Sequence, residues 1–281
     1  MYIVYKRQNV GGINVTLRFC SIASGSSGNC YLVRTDDTVL LVDAGISCKK
    51  IEEGLEAAGT KLADVEALLV THEHTDHVRG IKPLTNKLPG LEVYCTAGTW
   101  KYIEKECSAE HTTVTAGKDF WIGDIRCCPF TLSHDAEEPV GYSFESEGRI
   151  LTILTDSGYV TDEAHELLVD SNLIVLESNH DVDTLQFCNY PYNIKRRILS
   201  DFGHLSNETT GKELCKVLDE GKWGLLETPT VLLAHLSKET NFPEMAEATI
   251  KGVMESEGYY VGRHIDMATL SRDQVSDVYM V

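Results

Sequence analysis
The chain has 281 residues, enough for one large domain or two ordinary ones, and no apolar run approaches the roughly 18 residues a membrane span needs. Its apolar and aromatic fractions, 42% and 8%, are those of a globular protein, which excludes disordered and membrane-embedded classes. A formal charge of −18 repels polyanions at long range, so nucleic-acid chemistry would require local positive charge or bound cations.

The first residues mix Lys6, Arg7 and Gln8 with a Gly11-Gly12 pair and lack the apolar stretch of a secretory signal. Residues 1–14 are read as a loose extension and 15–281 as a single domain. From 17 to 42 the pattern is strand, turn, strand, turn, strand, with strands at 17–22, 30–33 and 38–42. The turns are Gly25-Ser26-Ser27-Gly28-Asn29 and Thr35-Asp36-Asp37. Ser47 is placed to cap a helix that runs to Ala58 and is closed by Gly59. Residues 67–70 read as a buried strand that delivers the chain into Thr71-His72-Glu73-His74-Thr75-Asp76-His77, and a second helix is expected to begin near Asp76. Strand-like runs recur at 120–122, 124–130, 140–144, 149–153, 173–176 and 230–234, and helices are predicted over 161–169, 192–199, 207–218 and 243–256. Strands and helices thus alternate in two halves, each opening strand-rich, which suggests a layered α/β/β/α sandwich. Nine cysteines without any C-x-x-C pair argue against a disulfide framework and point to a reducing cytoplasm.

Three histidines and an aspartate fall within six positions at His72, His74, Asp76 and His77, directly after an apolar strand. On a loop leaving a strand they converge on one point, and imidazole nitrogen with carboxylate oxygen suits zinc, manganese or iron better than calcium or magnesium. This H-x-H-x-D-H string resembles the signature of the metallo-β-lactamase-fold superfamily, which implies an α/β, four-layer αβ/βα sandwich. The resemblance implies further ligands at His134 in Thr131-Leu132-Ser133-His134-Asp135, at Asp156 in Leu154-Thr155-Asp156-Ser157-Gly158, and at His235 in Val231-Leu232-Leu233-Ala234-His235. His72, His74 and His134 would then hold one divalent ion and Asp76, His77 and His235 another, with Asp156 between them. Asp43, in Leu41-Val42-Asp43-Ala44-Gly45, matches the aspartate that orients the cluster from behind. Such a pair of ions, roughly 4 Å apart, makes a bridging hydroxide available at neutral pH.

Three longer strings narrow the resemblance. They run from Phe19 to Cys30, from Lys195 to Glu208 and from Ala234 to Asn241, and on them the chain is similar to the YycJ/WalJ (VicX) family. That family is regarded as DNA exonucleases with a 5′ to 3′ duplex activity, related to the tRNA 3′-processing nuclease Z and to the phosphodiesterase PhnP. The resemblance implies a metal-dependent phosphodiesterase acting on nucleic acid, DNA favoured, with Asp76, Asp156 and His204 catalytic. The alternative is a small-molecule phosphodiesterase or other ester or thioester hydrolase of the same fold. The residues themselves are compatible. His204 stands just before a helix start suited to phosphate and is positioned to donate a proton to the leaving oxygen. Lys195, Arg196 and Arg197 supply the local positive charge the total lacks, and Tyr190 and Tyr192 can stack on bases. Asn29 and His180 are further candidates to contact substrate. The interval between Asp156 and His235 is too short for an inserted β-CASP domain.

Overall fold
In the computed structural model, which describes residues 17–221 and 227–281, the chain opens with an antiparallel meander of β1 (Arg18–Ala23), β2 (Cys30–Arg34) and β3 (Val39–Val42). The same sheet continues in parallel through β4 (Ala67–Leu69), β5 (Glu92–Thr96) and β6 (His111–Val114). Parallel neighbours require crossovers. These carry α1 (Cys48–Ala57), α2 (Thr75–Val78), α3 (Ile81–Lys87) and α4 (Ala97–Ile103).

The second half repeats the plan. Strands β7 (Phe120–Ile122), β8 (Ile125–Thr131), β9 (Val140–Ser146) and β10 (Arg149–Leu154) pair antiparallel. β11 (Leu173–Glu177), β12 (Thr230–Ala234) and β13 (Asp266–Thr269) then add in parallel. Helices α5 (Asp162–Val169), α6 (Val182–Phe187), α7 (Tyr192–Ile198), α8 (Asn207–Glu220) and α9 (Pro243–Ser256) lie between and after these strands. Finally β14 (Tyr279–Met280) returns to the first sheet, pairing Phe19 with Tyr279. Each sheet has seven strands, in the orders β14-β1-β2-β3-β4-β5-β6 and β13-β12-β11-β10-β9-β8-β7.

Period-two alternation divides the apolar residues among three buried interfaces. In β3, Leu40 and Val42 join Phe19, Tyr31, Tyr142 and Phe144 between the sheets, whereas Leu41 turns outward to meet Ile51 and Leu55 of α1. In β12, Leu232 faces the other sheet, and Val231 and Leu233 pack with Leu214, Ile250 and Met254 of α8 and α9. Three interfaces between four layers make the αβ/βα sandwich expected from the sequence. The apolar strands and the longer helices fall where their patterns predict. Local pattern does not mark α3, β5, α4, β6, α6, β13 or β14, because each is short and, in β6, largely exposed and polar. The predicted extension at 1–14 lies outside the described residues. No helix among the described residues is long and apolar enough to cross a membrane.

Candidate metal centre
The chemistry-bearing residues collect where strands end. Asp43 follows β3, His72 follows β4, His134 follows β8, Asp156 follows β10, Glu177 closes β11 and His235 follows β12. Carboxyl ends of strands are where open α/β sheets place their ligands. The backbone bends sharply there: Asp43, Asp156 and His235 have φ of 60°, 60° and 55°. Left-handed geometry costs a non-glycine residue on the order of 1 kcal/mol. The remaining non-glycine example among the described residues is Glu147, which with Gly148 makes the tight β9–β10 turn. The other three have no such turn to make. Their strain turns a side chain inward at each strand end.

The glycine-rich turn holds the histidine motif in place. Asn29 N–H donates to the Asp76 carbonyl at 2.8 Å, and Ala44 N–H donates to the His77 carbonyl at 2.8 Å. Gly45 is obligatory here, since a Cβ on it would lie 1.6 Å from the Asp76 oxygen. On the other side, Gly158 N–H donates to the Ser133 carbonyl at 2.8 Å and Ser133 Oγ donates to the Asp201 carbonyl at 2.7 Å, lacing together the loops of Asp156, His134 and His204.

Four histidines are gripped by Nδ1, which leaves Nε2 to face inward. His77 Nδ1 donates to Asp43 Oδ2 at 2.7 Å, and His134 Nδ1 donates to the Gly203 carbonyl at 3.1 Å. His235 Nδ1 donates to Glu177 Oε1 at 2.8 Å. The Thr71 hydroxyl, which donates to Asp43, accepts from His72 Nδ1 at 3.0 Å. Partners of this kind fix the tautomer and aim of a metal-binding imidazole. The structure brings His72, His74 and His134 into one group and Asp76, His77 and His235 into another, each with ligand atoms within 4.8 Å of one another. Asp156 lies between: His77 Nε2 is 3.3 Å from its Oδ2 and His235 Nε2 is 3.5 Å from its Oδ1. His72 Nε2, His235 Nε2 and Asp156 Oδ2 are buried and have no hydrogen-bond partner. Buried polar atoms are rarely left so. Convergent nitrogens and oxygens with open lone pairs fit a divalent metal ion.

The charge balance points the same way. Burial drives His72 far below the ordinary imidazole range and also lowers His134, so both are neutral donors. Burial would lower His77 and His235 too, but Asp43 and Asp156 hold His77 well above that range, and Asp156, with Asp76 and Glu177, holds His235 at about 10. The buried carboxylates therefore demand positive charge, which protons or a bound cation can supply.

Glu177 is the site residue that sequence reasoning did not single out. Fully buried, it accepts from both His204 and His235 on Oε1, at 2.8 Å each, and on Oε2 from the N–H groups of Ser157 and Leu205, at 3.0 and 3.2 Å. Although burial raises a carboxyl, the two imidazoles hold this one at about 2. Its signal in the sequence was a single acid completing an otherwise apolar strand. His204 lies beside this cluster, its Nδ1 committed to Glu177 and 3.8 Å from Asp156 Oδ1.

The substrate candidates divide. Asn29 is in the site, its Nδ2 3.0 Å from His77 Nε2 and its Oδ1 accepting from Gly25 N–H at 2.9 Å. His180 is buried with neither ring nitrogen hydrogen-bonded, and burial pushes it down to about 4. Lys195 Nζ donates to the carbonyls of Gln186 and Cys188, both at 2.7 Å, and Arg197 pairs with Asp135, beside His134. The Arg196 side chain makes no ion pair or hydrogen bond among the described residues, and none of the nine cysteines is in a disulfide.

Comparison with known proteins bears on what this site is. Residues 38–220 match the family model described as a beta-lactamase superfamily domain. The chain is 40% identical over 255 residues to exodeoxyribonuclease YycJ of Bacillus anthracis, covering 89% of this chain and 94% of that one. It is 38% identical over 242 residues to exodeoxyribonuclease WalJ of Streptococcus pneumoniae serotype 2, covering 84% and 87%. Among solved structures, the metallo-beta-lactamase fold protein YhfI from Bacillus subtilis superposes with a TM-score of 0.69 at 14% identity, over 93% of this chain and 99% of the other. With the superfamily model spanning more than half of its length and a curated relative matched almost from end to end, the chain belongs to the YycJ/WalJ family of metal-dependent hydrolases within the β-lactamase superfamily.

Proposed function
We propose that this protein is a nuclease that cleaves phosphodiester bonds of DNA as an exonuclease, working from 5′ to 3′, with two divalent ions of the zinc, manganese or iron class. The reading is carried by one observation: nearly the whole chain is 40% identical to a protein named as an exodeoxyribonuclease. In this reading His72, His74 and His134 would hold one ion and Asp76, His77 and His235 the other, with the Asp156 carboxylate available to either group. Bound there, the ions supply Lewis acidity toward a phosphate oxygen and a water of lowered pKa.

The remaining steps belong to the chain itself. Asp43, Thr71 and Glu177 keep His77, His72 and His235 in the tautomer that presents Nε2. His204 is committed to Glu177 through Nδ1, so Nε2 is the atom that gives a proton to the leaving oxygen. Asn29 presents its amide beside His77, and of the run Lys195, Arg196 and Arg197 it is Arg196, whose side chain has no ion-pair partner among the described residues, that supplies charge for a phosphate of the strand. The test is to incubate metal-loaded protein with end-labelled duplex and single-stranded DNA and RNA. Stepwise release of nucleotides from a DNA 5′ end is expected. Hydrolysis confined to small diesters or esters would overturn the nuclease reading.

A further inference from the structure
Residues 181–203 leave the site just after His180 and return to it at His204. The two ends are tied together, since Asn207 N–H donates to the His180 carbonyl at 2.9 Å and His180 bridges Ser206. The excursion buries little of itself: within α6 and α7 the buried side chains are Leu185 and Ile198. It carries large rings into solvent, with Phe187 86%, Tyr192 76% and Phe202 60% exposed. Lys195, through its two bonds to the 186–188 carbonyls, clamps α7 to the end of α6.

Against α6 lies an open groove of about 630 Å³, within the size of a small-molecule site. Phe187 and Tyr190 supply its aromatic surface, Asn189 an amide, and Asp183 and Glu239 its acidic wall. Glu239 comes four residues after His235, and the carbonyl of its neighbour Thr240 accepts from Asp181 N–H at 3.0 Å, which ties the loop that follows His235 to the start of α6. Neither Asp183 nor Glu239 has an ion-pair partner among the described residues.

We propose that this groove takes an unpaired nucleobase of the substrate strand, an inference that rests on the nuclease reading above. Two carboxylates exclude a phosphate from the groove but accept N–H groups from the edge of a base. Exposed rings give that base a face to stack on, which any base can use. Arg196, without a partner of its own and one turn along α7 from Tyr192, is left for the backbone phosphate outside the groove. Cytosine offers the two N–H groups of its exocyclic amine to the two carboxylates, where thymine has a single ring N–H set between two carbonyl oxygens. The groove therefore favours cytosine over thymine.

The experiment is steady-state hydrolysis of short single-stranded homopolymers of deoxycytidylate and thymidylate by the metal-loaded enzyme, with a nitrophenyl phosphodiester as control. The wild type is expected to show a KM about fivefold or more lower for the cytosine strand, the discrimination of one good base contact. Phe187→Ala with Tyr190→Ala should raise KM on both strands about five- to a hundredfold, the worth of lost stacking, and leave the small diester unaffected. Asp183→Asn with Glu239→Gln should bring the two KM values together. All four side chains line a groove open to solvent, so the fold is expected to survive. In an active DNA exonuclease, unchanged KM in the aromatic variant, or a cytosine preference that persists in the carboxamide variant, overturns this proposal alone. Wild-type enzyme that degrades neither these strands nor duplex DNA overturns the nuclease reading and this one with it, and enzyme active on duplex DNA alone overturns this proposal only. A Phe187→Ala protein that sediments as a smaller species with unaltered kinetics would make the groove a contact between copies of the chain and likewise overturn it.

Discussion
Glu177 accepts from two imidazoles with one carboxylate oxygen, and each of those bonds has a distinct consequence. A carboxamide cannot accept from both rings while also receiving two backbone N–H groups on its other atom. Glu177→Gln is therefore expected to weaken metal retention and to lower turnover by about 10- to 100-fold, the usual range for a partner that orients a ligand. Elemental analysis alongside turnover checks this, and unchanged values in both would refute the role. For His204, the proposed proton transfer predicts that His204→Ala keeps its metals but loses about 10²- to 10⁴-fold on substrates with a poor alkoxide leaving group. The loss should be far smaller on nitrophenyl esters, whose leaving group needs no proton. Equal losses on both substrates would leave His204 a phosphate-binding or structural residue. The role of His204 could be suggested from the sequence, through its neighbours Gly203 and Ser206. Glu177 could not, because nothing near it in the chain reveals that His204 and His235 both turn toward it.

At the scale of single elements, α7 shows how an obvious charge run divides once its neighbours are in place. Lys195, Arg196 and Arg197 are equivalent in the sequence, yet Lys195 serves the carbonyls at the end of α6 and Arg197 pairs with Asp135. Arg196→Gln alone should flatten the dependence of log affinity on log salt by up to about 0.9 unit for duplex DNA, the value of one phosphate contact. Lys195→Gln should instead lower thermal stability by about 1 kcal/mol, by removing hydrogen bonds from a charged donor, with a smaller change in slope. Salt titrations and melting curves of the two variants separate these outcomes. A slope that moves with Lys195 and not with Arg196 would reverse the assignment. For α6 the sequence carries only a start signal, since Asp181 Oδ1 accepts from Thr184 N–H at 2.8 Å as an N-cap. Six residues were too short for periodicity to confirm it.

Across the whole molecule, the candidate metal centre spans the two halves of the sandwich. Asp43, His72, His74, Asp76 and His77 come from the first sheet, and His134, Asp156, Glu177 and His235 come from the second. A bound cation thus links the halves, and stability rises with its concentration over Kd. In the metal-free chain His235 is raised from 6.5 to about 10, so its contribution is complete below about pH 6.5 and is lost as pH rises through about 10. Glu177 is lowered from 4.5 to about 2, so its contribution is complete above about pH 4.5 and is lost as pH falls through about 2. Because burial also holds His72, His134 and His180 below the ordinary imidazole range, stability is lost as pH falls below about 6.5, and the metal-free protein should therefore be most stable near pH 6.5. Metal binding requires His77 and His235 without their extra protons, so the rise in Tm on adding zinc or manganese should grow from about pH 5 to pH 8. Melting curves across that range check the sign, and a metal-induced rise that is flat or falls with pH would refute it. By itself the sequence determined the histidine- and aspartate-rich string, the apolar strands that end at it and the division into two similar halves, because each is written in consecutive residues. Only the tertiary structure decided that Glu177 joins His204 to His235, that Lys195 is spent on α6, and that β14 closes onto β1. Those contacts join residues far apart in the chain, and they depend on strand register and on sharp turns after β3, β10 and β12 that local pattern does not encode.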